Sequence, residues 1–539
     1  MKIKNFIYDR ICSYERHDYM MTFLLGDKSY LDDSVYEAYQ SIGVSHLFAL
    51  SGMHISLLTF FLLKLFKKMK EIIRYGLCSL ILVCYGFIVL FPASILRCII
   101  FFIISSFNRI FHLELSNMKV LILTVFVILF LNRNFIYDTG FLYSFSCVFG
   151  IFFCSSFIKK KHSSFRLSIV TFLFSLPISL YSFYSINVLS IIYNLFYIPF
   201  VSLIVYPITL LSFVFPFLSV VMNYSIRILE SITMLLNNIS IGRLYLSFNI
   251  YEVLIYYILL LLGFRYKCFF GGIIILLLFD MFLPYSDSSS MIYYLDVGQG
   301  DSSIIITPYR KEVILIDTGG VVGGNRYVSD STITFLHSLG ITRIDLMILT
   351  HGDYDHMGEA TNIINNINVK KVVFNCGEYN DLEIDLIKFL DKKKIKYYSC
   401  IKELHLDQNK LYFLQTQEYD NENDNSNVIY TELNGYKFMF MGDASSITEK
   451  EILEKYNLPD MDVLKVGHHG SKTSSSKDFI NKIHPRYSII SVGKNNRYGH
   501  PNKEVLNNLE NSKIYRTDED GSIMFEIKNN KLKIETCES

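Results

Sequence analysis

No tryptophan, no Cys-x-x-Cys pair and no Gly-x-x-x-x-Gly-Lys-Ser/Thr run occurs in the 539 residues. Without that phosphate-cradling loop, nothing in the sequence supports an internal ATPase. The ten cysteines lack metal-finger spacing and six sit in apolar runs, so they read as small core residues and not as a disulfide frame. Charge is scarce as well. Only 19% of residues are charged against 51% hydrophobic, and the mean hydropathy is +0.31, which speaks against a soluble globular protein. Residues 1–4 lead into a polar stretch with no compact apolar core, so no cleavable leader is expected and insertion falls to internal spans.

The net charge of +1 hides an asymmetry. Residues 1–285 carry 22 basic and 13 acidic side chains, and the remainder carries 29 and 37, which implies two different solvents. After a polar segment at 1–45, apolar runs of near-bilayer length fill 46–285 and predict about ten spans, among them 46–65, 187–203 and 207–223. Basic residues gather after spans 1, 3, 5 and 9 (Lys64 to Arg74, Arg109 and Lys119, Lys159 to Arg166, Arg265 and Lys267). By the positive-inside rule both ends of the helical region then lie outside the cytoplasm. Between two spans, Ile228, Leu229, Ile232, Leu235, Leu236 and Ile239 recur at helical spacing beside Arg227, Glu230, Asn237 and Asn238. This predicts an amphipathic helix, lying at the interface or turning a polar face to the bundle. Pro177, Pro199, Pro207 and Pro216 break the apolar runs, through packing kinks or a wet path.

A short linker at 286–290 separates this region from 291–539, where alternating strands, Gly and Asp turns and strand-helix alternation predict a soluble α/β domain. Three of its strands end in ligand-type residues. Leu349-Thr-His-Gly-Asp-Tyr-Asp-His-Met-Gly358 offers His351, Asp353, Asp355 and His356 within one turn. Two imidazoles and two carboxylates at one point suit a divalent metal, manganese as readily as zinc. The strand ending Phe440-Met-Gly-Asp443 supplies an Asp able to bridge two ions, and Leu464-Lys-Val-Gly-His-His-Gly-Ser-Lys472 supplies His468 and His469.

With Leu295-Asp-Val-Gly-Gln-Gly-Asp301, Leu315-Ile-Asp-Thr-Gly319 and Tyr498-Gly-His-Pro501, the order of motifs resembles the metallo-β-lactamase fold, an αββα hydrolase architecture, over 291–539. The resemblance implies one or two divalent ions, manganese or zinc. His351 and Asp353 would serve one, Asp355, His356 and His469 the other, and Asp443 would bridge. It implies catalytic roles for Asp355, Asp443, His468 and His500, with substrate contacts at Gln299, Asp301, Ser471 and Lys472. Two departures stand out. Asp353 occupies a position where the more familiar pattern has His, and a further His ligand before Asp443 is replaced by Asn421-Glu-Asn-Asp-Asn-Ser-Asn427. His405 is the spare imidazole there, in a setting unlike a ligand's. One metal site is then weak or absent, and single-metal hydrolysis stays open.

The helical region carries a second resemblance. Gly43-Val-Ser-His-Leu-Phe-Ala-Leu-Ser-Gly-Met-His-Ile-Ser56 is similar to the signature of ComEC-type DNA-internalisation proteins, as are Pro92-Ala-Ser-Ile-Leu-Arg97, Gly140-Phe-Leu-Tyr-Ser-Phe-Ser146 and the stretch from Asn187 to Pro199. The family implies a multi-pass channel in the cell membrane that passes one DNA strand inward, while an extracytoplasmic metal-dependent nuclease degrades the other. The DNA path would include His46, Ser51, Gly52, His54 and Arg97. A separate DNA receptor and a separate motor ATPase would be partners. Longer family members add N-terminal spans and an OB-like domain, so this sequence reads as a short form. Rival functions are a channel with an inert, binding-only hydrolase-like domain, and a membrane-tethered hydrolase of a small phosphoester or lactone.

Overall fold

In lipid, long Leu, Ile, Phe and Val runs satisfy their backbone only as helices, and residues 8–276 are built of them. The computed structural model describes residues 8–239, 242–323, 327–405, 409–414 and 417–537, and divides into two units after Leu276. The start at residues 1–4, where no leader is expected, lies outside the described residues.

Among the described residues, six helices are long and apolar enough to cross a membrane: Ser45–Leu65, Glu71–Ile88, Ala93–Ile110, Ser163–Phe183, Ser190–Val214 and Phe269–Ser286. Asn117–Leu131 and Thr139–Phe153 are shorter apolar helices. The expected separate spans at 187–203 and 207–223 are instead one run, Ser190–Val214. Pro199 and Pro207 each remove a donor from the ladder, and a π turn at Val201–Val205 absorbs the loss without ending the helix. Pro177 likewise sits inside the continuous helix Ser163–Phe183, so none of these three prolines ends its helix.

Two further expectations are corrected. The segment 1–45 is no mere polar lead-in, because Tyr19, Met20, Phe23, Leu31 and Tyr39 pack into one core with Tyr197, Val205, Tyr206, Met222, Ile226 and Leu229. The amphipathic helix, Ser219–Ile239, turns its polar side to partners and leaves Val220, Tyr224, Ile228 and Leu235 exposed. Glu230 bonds to Arg16 and Tyr19, and Asn237 to Arg243 and Ser41. The bundle-facing alternative therefore describes it.

The second unit is a four-layer sandwich. An eight-stranded sheet and a seven-stranded sheet enclose one core, where Ile292, Tyr294, Ile314 and Ile348 meet Phe438, Phe440, Val463 and Ile489. Both faces of each sheet are covered, so its strands read as near-continuous apolar runs such as Val313–Ile316 and Ser303–Ile306. Helices Ser329–Ser338, Ala360–Asn366 and Asp381–Lys393 close the first sheet's outer face. Ser446–Lys455, Lys477–Ile483 and Lys503–Asn508 close that of the second. Parallel strands Val313–Ile316 and Leu346–Ile348 in one sheet, and Tyr436–Phe440, Val463–Lys465 and Tyr487–Ile490 in the other, end beside the motif loops. The core-thiol expectation fails for one cysteine pair. Lys371–Val373 and Lys396–Tyr398 pair in parallel, which brings Cys376 and Cys400 together with Cα atoms 4.7 Å apart, joined by a disulfide.

Candidate functional site

Strand ends deliver the ligand-type residues of the second unit to one place. Side-chain atoms of His351, His356 and Asp443 lie within 4.8 Å of one another, and so do those of Asp355, His356 and His469. His356 Nε2 is 3.2 Å from Asp443 Oδ1, and His351 Nε2 is 3.9 Å from Asp443 Oδ2. His469 Nε2 is 3.3 Å from Asp355 Oδ2 and 4.0 Å from Asp443 Oδ2. His351, His356, His469 and Asp443 are all buried, whereas the Asp353 side chain is half exposed at 3.5 Å from His351 Nε2.

Each imidazole is held by its other nitrogen. His356 Nδ1 donates to Asp317 Oδ2 at 2.9 Å, and His469 Nδ1 to the Ser491 carbonyl at 3.0 Å. His351 Nδ1 faces Thr350 Oγ1 and Ser426 Oγ at 3.1 and 3.3 Å. Thr350 itself donates to Asp317 through both backbone and hydroxyl. The Nε2 atoms of all three rings, and Asp443 Oδ1, are buried without a hydrogen-bond partner. Buried polar atoms left unpaired cost free energy, and second-partner bonds that fix a ring with its far nitrogen free are the usual support of metal-binding histidines. The residues present therefore fit one or two divalent ions. Charge points the same way. Burial alone would push His356 and His469 down, yet Asp443 and Asp317 hold His356 well above its ordinary range. Asp443, Asp301 and Asp355 likewise raise His469 to about 10. Burial would raise Asp443, but His356, His469 and His351 hold it well below the usual carboxylate range. Protons on the imidazoles supply positive charge that the carboxylates demand.

Glycines let the loops close. Gly300, at φ +147°, has no room for a Cβ, which would lie 2.5 Å from the Asp355 carbonyl. Asp301 N–H donates to that same carbonyl at 3.1 Å.

The expected substrate contacts divide. Asp301 is corrected: it is buried, bonded at 2.7 Å to the buried Lys465 ammonium, and 3.4 Å from His469 Nδ1, so it supports a ligand rather than facing open space. Ser471 is buried and accepts from Thr473 within its own turn, Gln299 accepts from the Gly493 amide, and Lys472 is exposed. His468 is half-buried, with Nε2 3.7 Å from Asp443, and its ring lies 6.0 Å from that of His500. The Asn421-to-Asn427 segment supplies no ligand because its polar groups are engaged. Asp424 accepts from Ser445 and Thr448, Asn425 donates to Tyr419, Asn427 to Leu349, and Ser426 accepts from the Asp443 amide. Exposed His405 lies against Glu403 at the sheet edge. Asp317 and Lys465 stand in the motif runs Leu315 to Gly319 and Leu464 to Lys472 with no role legible from the sequence; their burial and pairing are tertiary facts.

In the helical unit the quoted runs converge. Ser94 Oγ donates to the Leu50 carbonyl at 2.7 Å, and one turn on, Arg97 reaches the start of helix Gly52–Leu65, where a Cβ on Gly52 would lie 2.5 Å from Arg97 Nη2. Arg97 Nε donates to Ser144 Oγ at 2.5 Å. At the other end of the first run, Gly43 packs on Ser190 and Asn187 Nδ2 donates to the Ser41 carbonyl. His54 is fully buried between Phe23 and Tyr206; its Nδ1 accepts from the Ser51 amide and its Nε2 has no partner. His46 is exposed, on a separate 3₁₀ turn.

Residues 23–269 match the model of the family described as competence protein, and residues 295–494 that of the metallo-beta-lactamase superfamily. The chain is 28% identical to ComE operon protein 3 of Bacillus subtilis (strain 168), over 94% of this chain and 70% of that protein. It is 31% identical to Competence protein ComA of Neisseria gonorrhoeae over 43% of this chain, and 28% identical to Recombination protein 2 of Haemophilus influenzae over 46%. The aligned parts are 31% and 30% of those two proteins. Among solved structures, “a possible metal-dependent hydrolase” from Veillonella parvula shares 15% identity over 44% of this chain and 98% of its own, with a TM-score of 0.29. The diiron β-hydroxylase CmlA from Streptomyces venezuelae shares 12% over 38% of this chain and 44% of its own, with a TM-score of 0.27.

Proposed function

We propose that the chain takes up DNA, passing one strand across the cell membrane while its α/β domain hydrolyses the other. What supports this is the match of 23–269 to the competence-protein model, that of 295–494 to the metallo-beta-lactamase superfamily, and, among the described residues, six helices long and apolar enough to cross a membrane. One observation carries the hydrolytic half: three buried histidine Nε2 atoms, none with a hydrogen-bond partner among the described residues, lie within 4.0 Å of the Asp443 carboxylate. We assign the segment before residue 46 and the helices to 285 to the transport region, and 291–539 to the nuclease.

His351 and Asp353 would hold one divalent ion, Asp355, His356 and His469 would hold another, and Asp443 would serve as a ligand to both. When bound there, manganese or zinc would supply Lewis acidity, lowering the pKa of a water and stabilising charge on phosphodiester oxygens. The chain's own residues prepare that chemistry. Asp317 and the Ser491 carbonyl fix the rings of His356 and His469, and the Lys465–Asp301 pair backs His469. His468 and His500, half-buried at the rim, approach the phosphate oxygens and a leaving-group proton. In the membrane half His54, Ser51, Gly52 and Arg97 belong to the strand's path. The nuclease domain faces outside the cytoplasm, a separate receptor delivers duplex, and a separate ATPase supplies force.

The test is hydrolysis of labelled single- and double-stranded DNA by the purified full-length protein with manganese, zinc or chelator. Metal-dependent cleavage that disappears in Asp443→Ala is the expected result. A folded protein that binds DNA but cleaves nothing with any metal would instead make the α/β domain a binding module.

A further inference from the structure

Arg97 is a charge without a counter-charge. Its side chain is more than nine-tenths buried in a membrane-crossing helix, yet no carboxylate pairs with it among the described residues. Its partners among the described residues are the Ser144 hydroxyl at Nε, the Cys98 sulfur 3.1 Å from Nη2 and the Phe145 ring 6.0 Å from Cζ. An isolated buried cation is among the most costly groups a protein can hold, and inside a membrane it marks function. A partly buried guanidinium of the same unit, Arg16, has both Glu230 and Asp18 as counter-charges.

A second feature adds to the positive potential. Arg97 Nη2 abuts the N-terminus of the 14-residue helix Gly52–Leu65, where the amides of Gly52 and Met53 donate to no acceptor among the described residues. The helix capping box engages His54, not these two amides. A guanidinium and a helix N-terminus each attract anions, and together they repel one another unless an anion lies between. Gly52 makes the approach possible, because any Cβ would occupy the place of Nη2.

We propose that Arg97, Ser144 and the amide start of the Gly52–Leu65 helix form a phosphodiester-binding seat for the backbone of a single DNA strand. The occupant is a nucleic-acid phosphate and not a lipid headgroup, because Arg97 is enclosed by the helices starting at Gly52, Ala93 and Thr139 and presents almost no surface to the bundle exterior. The inference rests on the DNA-transport reading and gives it a specific contact.

Binding of a fluorescent single-stranded oligonucleotide to the full-length protein in phosphatidylcholine nanodiscs, with EDTA to prevent hydrolysis, tests it across a salt series. Arg97→Gln should weaken binding roughly fivefold or more and lower the slope of log K against log salt by about 0.7, the share of one phosphate contact on a single strand. Gly52→Ala should do the same with the charge retained, and so keeps the test open if Arg97→Gln fails to fold. A methylphosphonate oligonucleotide, lacking backbone charge, should not distinguish the variants. If the parent protein binds no oligonucleotide, the transport reading falls and the seat with it. Should it bind with Arg97→Gln and Gly52→Ala unchanged in slope, the seat alone is wrong. An Arg97→Gln effect confined to the melting shift produced by phosphatidylglycerol would make the occupant a lipid and overturn the proposal.

Discussion

The two units carry buried polar deficits of opposite sign. In the α/β unit, Asp301, Asp317, Asp355 and Asp443 crowd three imidazoles and a single ammonium, and the atoms without a hydrogen-bond partner include the three ring Nε2 atoms and carboxylate oxygens of Asp301 and Asp443. In the helical unit a guanidinium is buried with neutral partners only. Excess negative charge calls for a cation and excess positive charge for an anion, so the sign of what is left unsatisfied indicates the sign of what binds. Family matches give each domain a class; the imbalance says where within each domain a ligand belongs.

The largest expected effect falls on the shared carboxylate. Asp443→Ala should cut phosphodiester hydrolysis roughly 10³-fold or more and lower the metal content measured on the purified protein, with circular dichroism unchanged; full metal occupancy in that variant would remove Asp443 from the ligand set. Next comes the support of His469. Lys465→Met leaves Asp301 buried with His469 as its remaining ion-pair partner, which should cost about 3 kcal/mol in denaturant unfolding of the α/β unit, whereas the double variant with Asp301→Asn should recover most of it. A double variant no more stable than the single would mean that Lys465 acts through packing alone.

The comparison also has a pH signature. His356 and His469 carry raised pKa values without metal, so near pH 7 they are protonated and an entering ion must displace those protons. About two protons should be released at pH 7 when an ion enters among Asp355, His356 and His469, and log affinity there should rise with pH, by up to about one unit per pH unit for each imidazolium displaced. Calorimetry in buffers of different ionisation enthalpy measures the release; zero protons would contradict the charge balance described for the site. A smaller loss is expected at Ser426, which contacts His351 Nδ1 and accepts from the Asp443 amide. Ser426→Ala should weaken metal binding about tenfold, the scale of outer-partner mutations, and unchanged affinity would make the contact incidental.

What the sequence reveals and what it conceals differ by distance along the chain. His351, Asp353, Asp355 and His356 fall within one turn after an apolar strand, and Asp443 and His469 follow strands of their own, so chemistry and local pattern coincide there. Lys465 and Asp301 are 164 residues apart and Arg16 and Glu230 are 214 apart; neither pairing leaves a local trace. Asp301 reads as a substrate contact from its exposed-looking Gly-Gln-Gly-Asp turn, and only tertiary packing turns it inward. Pro199 and Pro207 look like breaks because sequence registers the lost donors and not the π turn that absorbs them. Cys376 and Cys400 meet through parallel strand register, which spacing alone does not encode.

The smallest effect is also the control for the comparison. Arg16 and Glu230 are both partly open to solvent, at 19% side-chain exposure, and Asp18 remains 3.1 Å from Arg16 Nη2 when Glu230 is neutralised. Glu230→Gln should therefore cost only about 1 kcal/mol, between the scale of exposed pairs and that of buried ones, read as a small drop in melting temperature in nanodiscs. It should leave the salt slope of oligonucleotide binding untouched, because a guanidinium that keeps a carboxylate has no vacancy for a phosphate. Equal slope changes from Glu230→Gln and Arg97→Gln would mean that loss of any interior charge perturbs the path. A slope change confined to Arg97 and Gly52 ties the effect to the guanidinium buried at the start of the Gly52–Leu65 helix with neutral partners only.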